Sequence, residues 1–128
     1  MIGYATLGTN DLDTALTFYD ALLATAGGKR LMQMPDERKL TFYGAGPGKP
    51  MLAIGKPYDG QHATAGNGMM VALSADDHAQ VDAVYAKAIE LGATDEGAPG
   101  TRGPEQLGFY GAYFRDPDGN KLCVFKMG

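Results

Sequence analysis

From Gly108 to Met127 the chain reads Gly-Phe-Tyr-Gly-Ala-Tyr-Phe-Arg-Asp-Pro-Asp-Gly-Asn-Lys-Leu-Cys-Val-Phe-Lys-Met, and this stretch constrains the fold more than any other. Two runs rich in aromatic and β-branched residues flank Asp116-Pro117-Asp118-Gly119-Asn120. Proline presets φ, glycine accepts positive φ, and aspartate side chains bond nearby backbone N–H groups, so a β-hairpin is predicted. In its second strand Leu122 and Val124 point one way while Cys123, Phe125 and Met127 point the other. Neither side carries a polar stripe, so both faces should be covered, one by helices and the other able to line a cavity. A four-residue loop, 116–119, pairs Arg115 with Asn120 and puts Tyr110, Ala112 and Phe114 on the face of Cys123 and Phe125. A slip of one residue in the turn puts Tyr113 there instead.

The rest of the chain supplies two similar series of elements. Residues 2–8 read as a strand, with Tyr4 and Thr6 on one face. Asn10 is a suitable N-cap, and Asp11 and Asp13 favour the positive end of a helix. Leu12, Ala15, Leu16, Tyr19, Leu22, Leu23 and Ala26 recur at helical spacing until Gly27-Gly28 stops them. Strands are predicted over Lys29–Met34, Arg38–Gly44 and Met51–Gly55, separated by Pro and Gly breakers. Residues 56–67 are too polar and glycine-rich for a regular element and form a linker. Gly68–Leu73 is a second opening strand, and Ser74-Ala-Asp-Asp77 has the form of a capping box. Val81, Val84, Tyr85, Ala88 and Leu91 then make an apolar stripe ended by Gly92. A weak strand over 93–97 and a Gly/Pro loop to Gly108 lead into the hairpin. The order is βαβββ twice, with modules of about 1–55 and 68–128 in one α+β domain spanning 1–128.

A chain of 128 residues, 45% hydrophobic and 20% charged, has the make-up of a globular protein. A net charge of −4 with no basic face argues against nucleic acid and against an anionic membrane surface. The single cysteine forms no internal disulfide, and no leader or long apolar run is evident, so the expected location is cytoplasmic.

The aromatic strand, Arg115-Asp-Pro-Asp-Gly-Asn-Lys121 and the apolar strand after it closely resemble the end of proteins in the glyoxalase, bleomycin-resistance and extradiol-dioxygenase superfamily (the vicinal oxygen chelate fold). The opening, Ile2-Gly-Tyr-Ala-Thr-Leu-Gly-Thr-Asn-Asp-Leu12 with Ala15-Leu16 and Phe18-Tyr19, resembles that family's first strand and helix. The resemblance implies tandem βαβββ modules forming a curved mixed sheet, with helices on the convex face and a concave cavity often completed in a homodimer. It also implies a divalent metal held by His, Glu or Gln, with open positions for vicinal substrate oxygens. Matched by motif, one ligand position falls on Tyr4, a second on Met70 and a third on Cys123. All three depart from the pattern: a protonated phenol, a thioether and a thiol suit hard cations poorly. The expectation is therefore no metal cofactor, with a divalent metal at relocated ligands as the alternative.

Few other groups offer chemistry. His62, in the linker, either orients a ligand or serves as a general base, or else is a plain exposed loop histidine. His78, at the start of the second helix, is expected to be solvated. Arg102 lies in a loop that related sequences place over the cavity. It either clamps a carboxylate or phosphate or pairs with Glu96 or Glu105. Tyr4, Tyr110, Phe114 and Phe125 are able to line the cavity or stack on a planar ligand, though strand aromatics also serve as plain core. Cys123 lacks an evident activating base. Gly44-Ala-Gly-Pro-Gly-Lys49 has the wrong spacing for a phosphate loop and reads as a turn. The resulting expectation is a binder of a small molecule in a concave cavity lined by Tyr4, His62, Met70, Arg102, Tyr110, Phe114, Cys123 and Phe125. The alternative is a metal-dependent enzyme of the lactoylglutathione-lyase or ring-cleaving-dioxygenase kind.

Overall fold

Each half of the chain builds its own four-stranded mixed sheet in the computed structural model, which describes every residue from Met1 to Gly128. The first half contributes β1 (Tyr4–Gly8), α1 (Leu12–Thr25), β2 (Lys29–Gln33), β3 (Thr41–Gly44) and β4 (Met51–Gly55). The second contributes β5 (Val71–Ser74), α2 (His78–Glu90), β6 (Thr94–Thr101), a short 3-10 turn at Glu105–Leu107, β7 (Tyr110–Arg115) and β8 (Lys121–Lys126). The strand orders are β1-β4-β3-β2 and β5-β8-β7-β6, so the two modules have the same topology. In each, the opening strand pairs parallel with the closing one and the remaining pairs are antiparallel.

Both helices start later than the sequence reading places them. The N-cap of α1 is Asp11, whose carboxylate accepts from the Thr14 backbone N–H at 3.1 Å and from its hydroxyl at 2.8 Å. Asn10 is engaged elsewhere. Ser74 remains the last residue of β5, paired with Phe125, so it is not free to cap α2. Asp77 caps instead, accepting from Gln80 N at 2.8 Å, while Gln80 Oε1 accepts from Asp76 N at 2.7 Å. The capping-box chemistry is present, three residues downstream.

The strand expected over 93–97 runs on to Thr101. Its pairing with β7 shifts register between Asp95 and Gly97 and again between Gly97 and Gly100. Such bulges break the two-residue alternation by which a strand is recognised.

The hairpin register also differs from a four-residue loop. Tyr113 pairs with Cys123, Phe114 with Leu122 and Arg115 with Lys121. Asp116 and Asn120 close the loop, since Asp116 N donates to Asn120 O at 2.9 Å, leaving only Pro117, Asp118 and Gly119 in the turn. Gly119, with φ of 87°, takes the left-handed position that three-residue loops require. The Asp116 carboxylate stabilises this arrangement by accepting from the backbone N–H of Asp118 at 2.9 Å and of Asn120 at 2.8 Å.

One core of 18 buried residues serves both halves. It joins Leu16, Tyr19 and Leu22 of α1 to Val81, Val84 and Ala88 of α2, with Leu52 and Ile54 from one sheet and Phe114, Leu122 and Val124 from the other. A hydrogen bond from Gln80 Nε2 to Thr25 O, 3.2 Å, bridges the helices. Each sheet thus has a helix-covered face and an open one. No helix is long and apolar enough to cross a membrane.

Candidate functional site

Alternation along the paired strands decides which side chains reach the open faces. On the second sheet these are Ala72 and Ser74 of β5, Gly111 and Tyr113 of β7, and Lys121, Cys123 and Phe125 of β8. Tyr110 and Phe114 stand on the opposite, helix-covered face, which corrects their assignment to the cavity. The one-residue difference in the hairpin turn is the cause. Phe114 is wholly buried in the shared core. Tyr110 donates its hydroxyl to Asp82 of α2 at 2.6 Å, and its ring stacks on His78 with centroids 4.0 Å apart. His78 is exposed on that outer side.

Tyr4 lies on the first sheet, 53% exposed, with its ring edge-on to Phe42 at 5.1 Å. Met70 stands one residue before β5. It lines a narrow cleft with Leu7, Val71, Asn120 and Lys121, whose volume of about 10 Å³ holds no more than a water. Cys123 is 1% exposed, beneath Tyr113. Burial pushes its thiol pKa up, opposed by the Tyr113 hydroxyl and by the charges of Arg102 and Lys121. Tyr4 therefore stands on one sheet, and Met70 and Cys123 belong to the other. A larger depression of about 310 Å³ lies beside α1 and is lined by Asp13, Thr14, Thr17, Phe18, Leu91 and Pro117, none of them an expected site residue.

His62 is exposed, and its Nε2 lies 3.3 Å from Asn10 Nδ2. Asn10 is the anchor at this corner. Its side chain donates to Ala63 O at 3.0 Å and accepts from Ala63 N at 2.7 Å, while its backbone N–H donates to Asp118 at 2.9 Å. The linker, the start of α1 and the hairpin turn meet through that one asparagine. His62 belongs to this junction, and its one side-chain hydrogen-bond partner is Asn10.

Arg102 pairs with neither Glu96 nor Glu105. Its guanidinium donates to three backbone carbonyls: Gly100 at 3.0 Å, Ala98 at 2.7 Å, and Gly111. These carbonyls are held in place by the irregular pairing of β6 with β7. Glu96 is taken by Arg115, at 2.8 Å. The plane of Arg102 sits over the Tyr113 ring at 5.0 Å, and the Lys121 ammonium lies 5.6 Å from the same ring. The segment that follows Arg102 returns across the open face. Phe109 stacks on Phe125 with centroids 5.6 Å apart and planes 7° from parallel, and a Cβ on Gly111 would meet the Phe109 ring at 2.7 Å. Tyr113, the alternative that a one-residue slip in the turn allowed, is thus a site residue, and Lys121 and Phe109 are site residues that the sequence reading missed. The first two follow from alternation once the hairpin register is known.

The donor set does not suit a divalent metal. No group of three His, Cys, Asp or Glu side chains comes together anywhere in the chain in a way that could hold an ion. Tyr4, Met70 and Cys123 are engaged with three different sets of neighbours.

Comparison with known proteins supplies the relationship. The model of the Glyoxalase/Bleomycin resistance protein/Dioxygenase superfamily matches residues 1–124. A glyoxalase/bleomycin resistance protein from Albidiferax ferrireducens shares 38% identity over 98% of both chains, with a TM-score of 0.84. A lactoylglutathione lyase from Agrobacterium tumefaciens shares 28% identity, covering 98% of this chain and 92% of that one, with a TM-score of 0.67. A family enzyme from Burkholderia phytofirmans, 18% identical over 98% of both chains with a TM-score of 0.75, shares the fold. No curated protein matches the chain. By sequence over nearly its whole length and by the topology of both modules, this chain belongs to the glyoxalase/bleomycin resistance protein/dioxygenase superfamily.

Proposed function

We propose that this protein binds a small organic molecule on the open face of its second sheet, without a divalent metal, as a homodimer whose open sheet faces are covered by assembly. The carrying observation is the contrast between the two sides of each sheet. One side of each is sealed by helices and contributes to the core, whereas Tyr4 (53% exposed), Met32 (46%) and Met70 (44%) leave apolar surface to solvent on or beside the other. Apolar surface of that kind marks interaction sites. The donor set argued above favours binding over metal-assisted chemistry. A cytoplasmic setting belongs to the same reading, as the one thiol is unpaired.

The rival reading, a lactoylglutathione-lyase-type enzyme with relocated metal ligands, draws on the likeness to the Agrobacterium protein. Elemental analysis of protein expressed in metal-supplemented medium separates the two. The binder reading expects far less than one divalent ion per chain and no change in melting temperature with chelator. A stoichiometric, chelator-sensitive ion overturns it. Sedimentation across a concentration series tests the dimer, and a strictly monomeric chain rejects that part.

A further inference from the structure

We infer that the molecule bound on this face carries a carboxylate, received by Arg102 and Lys121 beside the Tyr113 ring; this rests on the small-molecule reading above. Arg102 and Lys121 are the cations nearest that ring, and neither has an acidic partner, whereas Arg30 and Arg115 are each paired with a carboxylate. Arg102 is fastened by neutral carbonyls that fix its plane without neutralising its charge. Of its five N–H donors, three are used, and Nε makes no hydrogen bond within the chain. The residue is half-buried, yet no buried side-chain nitrogen lacks a partner, so Nε is open to solvent. A preoriented guanidinium with free donors suits a carboxylate, and the Lys121 ammonium on the same ring adds a second positive charge. The neighbouring surface selects for an organic acid over a mineral anion. The stacked Phe109–Phe125 pair and Ala72 offer an apolar bed for a hydrocarbon body, and two cations beside such a bed compensate a monoanion better than a strongly hydrated dianion.

Isothermal titration of the full chain with matched acids and amides tests this: benzoate against benzamide, hexanoate against hexanamide, and inorganic phosphate alone. The acids should bind at least about tenfold more tightly than their amides, with an advantage that falls as salt is added. The Lys121 side chain contacts the Tyr113 ring but makes no hydrogen bond or ion pair, so Lys121→Gln should fold normally, weaken the acids by about fivefold and leave the amides unchanged. Equal binding of acid and amide, tighter binding of phosphate than of either acid, or an unaltered Lys121→Gln variant overturns the carboxylate assignment. Amides that bind as well as acids leave the small-molecule reading standing. Failure of all four organic probes to bind overturns both.

Discussion

Tyr19→Phe removes one oxygen from the middle of the molecule, and the structure sets the size of the effect. Tyr19 is wholly buried, and its hydroxyl donates to Asp116 Oδ2 at 2.5 Å. Burial, and then the neighbouring Asp116 charge, push the phenol pKa well up, so the hydroxyl stays protonated and able to donate. The same carboxylate oxygen accepts from Asn120 Nδ2 at 2.9 Å, and that amide also donates to Gly8 O at 3.0 Å. One carboxylate thereby joins α1 to the hairpin turn and, through Asn120, to β1. A hydrogen bond to a charged group contributes about 1.5–3 kcal/mol, and the shape of the ring is kept, so a loss of about 2 kcal/mol is expected. For a chain of this size that is roughly 6–10 °C in melting temperature.

The pH dependence has a definite sign. Burial holds the Asp116 pKa above the usual carboxylate value, opposed by the hydrogen bonds from Tyr19 and Asn120. A carboxyl whose folded pKa is raised contributes stability that is fully present below the unfolded pKa and is lost as pH rises through the folded one. Removing the Tyr19 hydroxyl raises that folded value further. The Tyr19→Phe penalty should therefore be largest at neutral pH and shrink as pH falls into the carboxylate range. Urea titrations followed by circular dichroism measure both quantities. A penalty below about 0.5 kcal/mol, or one that is the same at neutral and acid pH, refutes the reasoning.

Two further outcomes are expected. Gly111→Ala would place a methyl 2.7 Å from the Phe109 ring and 3.1 Å from Val124 O, costing about 1–3 kcal/mol in denaturant titration, and the same substitution should cost clearly less in a Phe109→Ala background. Cys123, buried and with its thiol pKa raised chiefly by burial, should react with a thiol reagent at least about a hundredfold more slowly in the native protein than in urea, followed by absorbance.

Much of the architecture was legible because it rests on local chemistry. The helical stripes, the glycine stops and the order of elements along the chain follow from residue periodicity and breakers. What escaped depends on side chains acting at a distance. The Asp116 carboxylate closes a three-residue turn where proline and glycine alone allow either length, and that single residue decides that Tyr113, not Tyr110 or Phe114, shares a face with Cys123. Tyr19 reads as plain core, and its ring is core, but its hydroxyl serves a partner 97 positions away. Arg102 invited a search for an acid, whereas its partners are carbonyls exposed by bulges that no alternation pattern announces.

The helix pair shared by the two modules also sets how such a chain folds. An isolated βαβββ unit would show its helix face to water and could bury it only against a second unit, at a cost set by concentration. Joining two units through the segment 56–70 makes that encounter intramolecular, at an effective concentration of about millimolar. Linking the halves thereby turns an association equilibrium into a folding step, and the buried seam leaves each open face able to change without undoing the pair.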